Sequence, residues 1–388
     1  MDDALRLGVI GVGALTLRGI LPHLTQDDVR ERVRIEALCD PVVGRAEPAA
    51  ARYGVPQVFA DIDELLSEGA VDAVTVASPI GLHYAHCRAA LEAGKHVHVN
   101  KTMTTTVREA DDLIALARAR DLCLVASPGE VLRPQVTRTR ELIEGGEIGE
   151  LAWAICGGAF GAYHEDEPER SDGSGGTPID PSWYFRNPGG GPMYDMTVYA
   201  LHQLTGILGP AMSVVALSGI RVREREFLGA RIPTEADDNT ILLLDFGDGL
   251  IAVAYGTAAG GISDQFAAGV YFGTLGTIDG LLLNGEPFDF PGRERMGGAP
   301  PNDRMAQMRV LPHVVGAHVQ IDESHVFEDI MQLVDWTLDG VPTPVTAEHA
   351  RHVIDIIESG YRSALTGTRQ QLTTSFVRPS HASRGSRV

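Results

Sequence analysis

The sequence contains few cysteines, and their positions exclude two classes of protein. The four cysteines are Cys39, Cys87, Cys123 and Cys156, which lie far apart and form no Cys-x-x-Cys pair. This spacing disfavours both a disulfide-stapled scaffold and a cysteine-rich zinc site. We therefore expect a reduced, cytoplasmic protein that has no metal centre.

Long apolar runs and excess positive charge are also missing. No run of about 18 consecutive apolar residues is present, so we expect no membrane-spanning segment. Residues 1–3 are acidic and lead straight into a short apolar segment, without a signal-peptide pattern. The chain has 52 Asp and Glu against 32 Lys and Arg, a net charge of −20. This balance disfavours nucleic acid and anionic membranes as partners.

The length and the pattern of the first 150 residues predict the fold class. With 388 residues, of which 44% are hydrophobic, the chain exceeds one ordinary domain, and two domains are expected. Over residues 1–150, short apolar segments alternate with amphipathic segments of about ten to fifteen residues. This alternation predicts an α/β domain with a doubly wound parallel sheet.

A glycine-containing turn follows the first predicted strand. Gly11 permits a tight turn, and Gly13 lets the backbone approach a pyrophosphate at the start of the next helix. Gly11, Gly13, Ala14 and Leu15 are therefore predicted to bind a dinucleotide. Because Thr16 stands at the third glycine position, the fingerprint is partial, and an ordinary strand-to-helix turn is the alternative.

The residue that ends the second predicted strand bears on the choice of cofactor. Asp40 lies a little over 20 residues after the glycines, where a carboxylate accepts bonds from the ribose hydroxyls. Such a carboxylate also repels a 2′-phosphate, which favours NAD over NADP. The alternative is an aspartate that caps a helix before Pro41.

Two later strand ends supply further candidates. Ser78 and Pro79 end one predicted strand, and His83 begins the following helix, from which it would contact the ribose or nicotinamide. A histidine bonded to backbone at a helix start is the alternative. Asn100 and Lys101 form a polar tip on the next strand. Because ligands bind at the carboxyl ends of parallel strands, Lys101 is predicted to be a catalytic cation beside a nicotinamide.

The periodicity changes after residue 151. Six segments then resemble strands with few helices between them: 151–160, 212–222, 240–246, 250–257, 265–272 and 277–283. A hairpin turn at 245–249 joins two of them. The pattern predicts an α+β domain over residues 151–322, built on a large, open, mainly antiparallel sheet. Such a sheet face commonly forms a subunit interface, so a homodimer or homotetramer is expected.

The remaining segments are assigned by composition. Residues 323–377 contain two helical patterns, which we expect to pack back on the first domain. Residues 378–388 are polar and basic, typical of a disordered tail. Residues 164–176 are acidic and glycine-rich, which predicts a surface loop, with a lid over the substrate as the alternative.

A polar row follows the glycines at 189–191. Asp195, Tyr199 and His202 have the spacing i, i+4 and i+7, which at about 100° per residue places them on one stripe of a helix. An acid, a phenol and an imidazole on one face predict proton transfer and hydroxyl recognition. The alternative is a satisfied, buried polar network.

Taken together, these motifs resemble one known family over nearly the whole chain. The glycine turn, the segment 94–97 before Lys101, the triple glycine with Asp195 and the C-terminal helix are similar to the glucose–fructose oxidoreductase and inositol dehydrogenase family, Gfo/Idh/MocA. The resemblance implies a Rossmann domain followed by an open-sheet α+β domain. It also implies an enzyme that oxidises or reduces a sugar, inositol or related polyol with NAD(P).

The family's Glu-Lys-Pro motif falls on Asn100, Lys101 and Thr102, and only the lysine is retained. Without the proline we expect a trans Lys101–Thr102 bond, since a cis bond there would cost about 3–4 kcal/mol. Asp195 matches the family's aspartate. Tyr199 stands where histidine is common, as in the glucose–fructose oxidoreductase branch. His202 occupies a position that is more often Asp or Asn.

The resemblance and the motifs combine into a hypothesis of hydride transfer between a secondary alcohol and C4 of a nicotinamide. Lys101 would stabilise negative charge on the substrate oxygen. Tyr199 would take the hydroxyl proton, with Lys101 lowering its pKa from about 10. His202 would relay that proton or serve as the base, and Asp195 would orient a hydroxyl or hold Lys101. Three further substrate contacts are predicted: His164, Tyr184 and Arg186.

Two other functions remain open. Some members of the family retain NAD and use transient oxidation for glycoside cleavage, elimination or epimerisation. The altered turn around Lys101 keeps this alternative open. A non-catalytic sensor of cofactor or sugar is the second alternative, and retention of Lys101 with the acid, phenol and imidazole disfavours it.

Overall fold

A computed structural model describes residues 4–159, 180–227, 229–301 and 303–378. Its strands are β1 (Leu5–Ile10), β2 (Val33–Cys39), β3 (Gln57–Phe59), β4 (Ala73–Val76), β5 (His96–Val99), β6 (Leu124–Ala126), β7 (Leu151–Ala159), β8 (Ser213–Gly219), β9 (Glu224–Phe227), β10 (Ala230–Pro233), β11 (Asn239–Gly247), β12 (Leu250–Thr257), β13 (Val270–Gly273), β14 (Thr277–Asp279), β15 (Leu282–Leu283), β16 (Glu286–Pro287) and β17 (Gln370–Gln371).

The α-helices are α1 (Leu21–Leu24), α2 (Ala46–Tyr53), α3 (Ile62–Glu68), α4 (His83–Glu92), α5 (Val107–Ala119), α6 (Pro134–Glu144), α7 (Val198–Leu208), α8 (Asp264–Ala268), α9 (Arg304–Met308), α10 (Ser324–Asp339) and α11 (Ala347–Thr366). Two π-helical turns, Thr16–Ile20 and Met193–Thr197, lead directly into α1 and α7. Single 3₁₀ turns include Glu130–Leu132 before α6 and Pro181–Phe185.

The first sheet is parallel and has the strand order β3-β2-β1-β4-β5-β6. Its central strands are mostly buried because helices cover both faces. β4 is buried at every position, for example. The order reverses direction beside β1, which creates the crevice where ligands bind in this class of sheet. The predicted doubly wound α/β domain is confirmed.

The second sheet has nine strands in the order β16-β15-β14-β13-β7-β12-β11-β8-β17. All its pairings are antiparallel except that of β7 with β12, so the predicted mainly antiparallel sheet is confirmed. Helix α7 covers one face, where Val198, Leu201 and Leu204 join the core. The other face carries exposed apolar side chains.

Two predicted strands in this domain are partly wrong. Residues 277–283 form two short strands, β14 and β15, that pair antiparallel with each other. Within residues 265–272, the first part is helix α8, and only the end belongs to β13. Ser263, in an extended conformation, precedes the helix, and Gly269, at φ +78°, ends it. The segment therefore forms a short helix before the chain enters the sheet at β13.

The two C-terminal helices join the domains. Helix α10 contacts β5, β6 and the turn that follows β1, whereas α11 contacts both β8 and α5. The first residues of α10 thereby reach the crevice of the parallel sheet. Among the described residues, no helix has the length and apolar character needed to cross a membrane. The predicted tail beyond residue 378 and the loop at 164–176 lie outside the described residues.

Candidate active site

The glycine turn after β1 has the geometry of a phosphate cradle. Gly11 has φ +96°, and a Cβ added there would lie 2.8 Å from the carbonyl carbon of Ala77. Above Gly13, a Cβ would meet nothing within 4 Å. Thr16 explains the partial fingerprint, because its hydroxyl donates to the Gly11 carbonyl at 2.6 Å and closes the turn. The backbone is thus shaped for a close approach by a dinucleotide.

Asp40 is buried behind this turn. Its carboxylate accepts bonds from the Val12 N–H at 2.8 Å and the Val42 N–H at 2.9 Å, and Arg45 Nη1 lies 3.3 Å away. The bond to Val12 ties the glycine turn to the end of β2. The bond to Val42 closes a local turn, and the helix-capping alternative is wrong, because α2 begins only at Ala46 with Arg45 at its N-cap.

His83 supports the backbone rather than lining the crevice. Its Nδ1 lies 2.8 Å from the Thr102 carbonyl and its Nε2 lies 2.7 Å from the Ser78 carbonyl. The ring is completely buried, and burial lowers its pKa to about 4. Because the ring turns inward at the start of α4, the predicted cofactor contact is replaced by a link between two strand-end turns.

A cavity of about 930 Å³ lies between the strand ends of the first sheet, α7 and the start of α10. It brings together ten of the predicted residues: Gly13, Ala14, Leu15, Ser78, Pro79, Asn100, Lys101, Tyr184, Asp195 and Tyr199. Five others, Gly11, Asp40, His83, Arg186 and His202, are not on its wall, although the first two shape the cofactor turn. His164 lies outside the described residues.

Lys101 and Asp195 form an ion pair in this cavity. The ammonium donates to the Asp195 backbone carbonyl at 2.6 Å and also contacts the carboxylate Oδ1. The two side chains are 11% and 4% exposed. The same ammonium lies 5.2 Å from the centre of the Tyr199 ring. The strand-end lysine and the polar helix, predicted separately from sequence, therefore meet across the domains.

The Lys101–Thr102 peptide bond is cis, so the expected trans bond is wrong. Thr102 is held through both its side chain and its backbone carbonyl. Its hydroxyl donates to the Tyr194 carbonyl at 2.6 Å, and its own carbonyl faces His83. The absence of proline therefore does not prevent the cis form that the family's motif has.

Tyr199 has a partner that sequence reasoning missed. Nε2 of His325, in the first turn of α10, lies 2.8 Å from the Tyr199 hydroxyl. The His325 ring is almost fully buried, and burial together with Arg133, Lys101 and Arg18 lowers its pKa to about 3. Its Nδ1 has no hydrogen-bond partner among the described residues, and Oε2 of Glu323 is 3.8 Å away. The imidazole therefore bonds the phenol on one side and lies near a carboxylate of the cavity wall on the other.

His202 does not reach the cavity, so its predicted role as base is wrong. The ring packs against His349, with 4.6 Å between centroids, and burial lowers its pKa to about 3. A step of three residues along an α-helix turns by about 300°. His202 therefore points roughly 60° away from Tyr199. The π turn around Asp195 shifts the phase further. The ideal stripe that the spacing predicted therefore does not form.

The other predicted substrate contacts differ in placement. Tyr184 lines the cavity and stacks on Trp183, with 3.8 Å between ring centroids. Arg186 is exposed and lies off the cavity wall, because the 3₁₀ turn ends at Phe185 and the chain leaves extended. The prediction for Arg186 is therefore wrong in placement.

Further polar residues on the wall were not found from the sequence. Nε of Arg133 donates to Glu130 at 2.9 Å, and Nη2 of Arg18 lies 2.5 Å from Oε1 of Glu323. Gln135 also lines the cavity. A Glu–Arg pair three residues apart before a helix is common in sequences, so only its burial marks these residues.

No group of three or more His, Cys, Asp or Glu side chains is arranged to hold a metal ion in the described ranges. The polar groups on the described cavity wall include one ammonium, two guanidiniums, one imidazole, three phenols and several carboxylates and amides.

Comparisons with known proteins agree with this geometry. Residues 5–127 match the model of an oxidoreductase family with an NAD-binding Rossmann fold, and residues 136–278 match a GFO/IDH/MocA C-terminal domain. A scyllo-inositol 2-dehydrogenase (NADP(+)) of Bacillus subtilis is 24% identical over 378 residues, which cover 93% of this chain and 94% of that enzyme.

A second relative covers less of the chain. A dTDP-3,4-didehydro-2,6-dideoxy-α-D-glucose 3-reductase of Streptomyces antibioticus is 32% identical over 57% of this chain, which spans only 61% of the reductase. Among solved structures, levoglucosan dehydrogenase in complex with NADH and levoglucosan has a TM-score of 0.72 and 16% identity, covering 96% of this chain and 100% of that one. The similarity to that structure shows a shared fold.

Proposed function

Because the chain belongs to the Gfo/Idh/MocA family of NAD-binding oxidoreductases, we propose that it transfers a hydride between a sugar-like secondary alcohol, or its ketone, and a nicotinamide. The observation that carries the proposal is the cluster of Lys101, Asp195 and Tyr199 at the crevice of the parallel sheet. Relatives named for inositol and for a nucleotide-linked sugar support a substrate of this kind.

The residues around the glycine turn fit a dinucleotide. The open space above Gly13 admits a pyrophosphate, and Asn100 presents a buried Oδ1 without a partner beside Lys101. Asp40 sits where a ribose-binding carboxylate belongs, which favours NAD over NADP. When bound, NAD supplies or accepts the hydride at C4 of its ring.

Lys101 serves as the electrostatic catalyst in this proposal. An ammonium on a side chain that is only 11% exposed stabilises negative charge on the reacting oxygen more strongly than in water. Asp195 fixes the ammonium through one carboxylate oxygen and its backbone carbonyl. The second oxygen, Oδ2, has no partner among the described residues and is left to accept a bond from a neighbouring substrate hydroxyl.

Tyr199 and His325 move the proton. As the alcohol is oxidised, its hydroxyl proton passes to the Tyr199 oxygen while the phenol proton passes to Nε2 of His325. The Nδ1 proton of that imidazole then leaves towards Glu323, which is 19% exposed at the cavity wall. The products are the ketone, reduced NAD and one proton, so atoms and electrons balance. His325 takes over the relay role that the sequence suggested for His202.

The setting of the enzyme is also part of the proposal. Side chains on neighbouring strands of the open sheet form one exposed apolar face, and a second copy of the chain is the partner we propose for it: Trp153, Val215, Leu217, Leu243 and Ile251. All four cysteines are free and buried, which supports a reduced, cytoplasmic setting.

The test is to incubate the purified protein with NAD or NADP and a panel of hexoses, glycosides and inositols. Accumulation of reduced cofactor with at least one of them is expected. Product without reduced cofactor would instead indicate the cofactor-retaining chemistry of some members. Cofactor binding without any product would indicate a sensor.

Lys101→Met provides the decisive variant. Removing one preorganised stabiliser of a developing oxyanion costs roughly 10²–10³ in turnover, whereas cofactor binding through the glycine turn should persist. Lys95→Met is the matched control, because Lys95 donates to the Val71 carbonyl at 2.9 Å and does not line the cavity. Turnover of Lys101→Met within about tenfold of the wild type would refute the assignment.

A further inference from the structure

Several buried polar atoms on the cavity wall have no partner within the described part of the chain, and most of them are acceptors. They include Oδ1 of Asn100, Oε1 of Gln135 and Oδ2 of Asp195. A buried acceptor without a donor is costly, so native structures rarely leave one unsatisfied. A molecule that fills this cavity must therefore bring donors to it.

The orientation of Gln135 is fixed by its neighbour. Its Nε2 donates to the Gln307 carbonyl at 3.1 Å, and a carbonyl can only accept. The amide oxygen therefore faces away from Gln307, as an acceptor on the cavity wall. Gln135 and Asp195, from α6 and from the turn before α7, thus both require O–H or N–H groups.

The charges on the described wall leave no spare cation for an anionic substrate. Lys101 is paired with Asp195, Arg133 with Glu130 and Arg18 with Glu323. Asp322 adds a fourth carboxylate to these three pairs, so the wall carries a net charge of −1.

Two of the three cations can be assigned in more detail. Arg133 has its Nε on Glu130 and its Nη1 on the Met308 carbonyl at 3.2 Å. Arg18 lies in the π-helical turn Thr16–Ile20, and its Nη2 is paired with Glu323. Each of these two guanidiniums is therefore already neutralised by a carboxylate of the wall.

We propose that the substrate is an uncharged, hydroxyl-rich ring, such as a free sugar, a simple glycoside or an inositol. A uronate, a sugar phosphate or a nucleotide-linked sugar would place acceptors and negative charge against Oδ2 of Asp195 and Oε1 of Gln135. The hydroxyls of a neutral ring instead donate to both. The inference rests on the proposed function, because it concerns the substrate of that same site.

The test compares neutral and anionic probes on the NAD-loaded full chain by thermal shift and by reduction of NAD. Glucose, methyl glucoside and scyllo-inositol are the neutral probes; glucuronate, glucose 6-phosphate and dTDP-glucose are the anionic ones. The best neutral probe is expected to exceed every anionic one by roughly 100-fold or more in apparent affinity, because like-charge contacts in a buried interface strongly oppose binding.

Each outcome decides the inference and separates it from the proposed function. Preferred binding or turnover of an anionic probe overturns the inference and leaves hydride transfer intact. Preferred binding of neutral probes without reduction of NAD supports the inference and refutes the proposed function. Binding of none of the six probes overturns the inference.

A charge variant sharpens the test. Glu130→Gln removes the carboxylate that neutralises Arg133 and should improve the affinity for glucuronate by roughly tenfold relative to glucose. Glu141→Gln is the matched control, because its ion pair with Arg138 is exposed and off the cavity wall. An unchanged ratio of glucuronate to glucose affinity in Glu130→Gln would show that the charge of the wall does not select the substrate, and it would overturn the inference.

Discussion

Replacement of Asp195 by asparagine tests how the site is held together. The substitution keeps the shape of the side chain and the backbone carbonyl that accepts a bond from Lys101. It removes the negative charge beside an ammonium whose side chain is only 11% exposed. Breaking a buried ion pair at one partner costs about 3–5 kcal/mol. Because Lys101 keeps the carbonyl and an amide oxygen, we expect the lower end, about 3 kcal/mol.

The loss should be visible in both stability and turnover. For a chain of 388 residues, about 3 kcal/mol corresponds to a decrease in Tm of roughly 3–4 °C, since the entropy of unfolding scales with length. An ammonium that is no longer fixed should also lower kcat/KM by roughly 10²-fold or more, mainly through kcat. The cofactor turn is untouched, so the Kd for NAD should stay within about threefold of the wild type.

Asp72→Asn is the control for Asp195→Asn. Asp72 pairs with Arg6 at the surface, where the two side chains are 39% and 50% exposed. A pair of this kind is worth about 0–1 kcal/mol, so stability and turnover should hardly change. Thermal denaturation and steady-state kinetics on both variants measure the difference. If Asp195→Asn were as stable and as active as Asp72→Asn, the ion pair would not organise the site.

Three further predictions follow from other parts of the molecule. Tyr199→Phe should lower kcat by about 10²–10⁴, and His325→Gln should lower it less while shifting the pH profile of kcat; a profile unchanged in His325→Gln would contradict the relay. Stability should decrease as the pH falls from about 6.5 towards 4, because the pKa values of the buried His83 and His202 are lowered to about 4 and 3 and the unfolded chain therefore binds more protons in that window. Burial raises the pKa of Asp329 to about 7, so this one carboxyl acts in the opposite direction and favours the folded state as the pH falls. Chemical denaturation at several pH values measures this decrease in stability. His202→Gln should show a shallower decrease in stability with falling pH and an unaltered pH profile of kcat. Leu243→Lys should convert the proposed oligomer to monomer in light scattering, whereas Leu365→Lys, at a more exposed leucine off the sheet face, should not; an unchanged mass in Leu243→Lys would place the interface elsewhere.

The fold was predictable because its signals are local. Alternating strands and helices, the turn at Gly11 and the hairpin at 245–249 each lie within a short window of sequence. The error at 265–272 arose where a short apolar segment suits a helix as well as a strand. Gly269, which ends that helix with a positive φ, was the available signal.

The site was predictable only in part. Lys101 was found because it stands at a strand end, and Asp195 and Tyr199 because they follow a triple glycine. His202 was misplaced because an ideal helix was assumed through a π-helical turn. His325 was missed because nothing in its own segment relates it to Tyr199, which lies 126 positions earlier.

The sequence by itself therefore determined two domains, a dinucleotide turn and a lysine at the crevice of a parallel sheet, since hydrophobic period and turn chemistry act over a few residues. Tertiary structure alone decided which side chains share the cavity. It turned His202 into the interior and brought His325 onto Tyr199. These contacts depend on how α7 and α10 pack against the sheets, and the rotation of a packed helix is set by distant partners as well as by its own sequence.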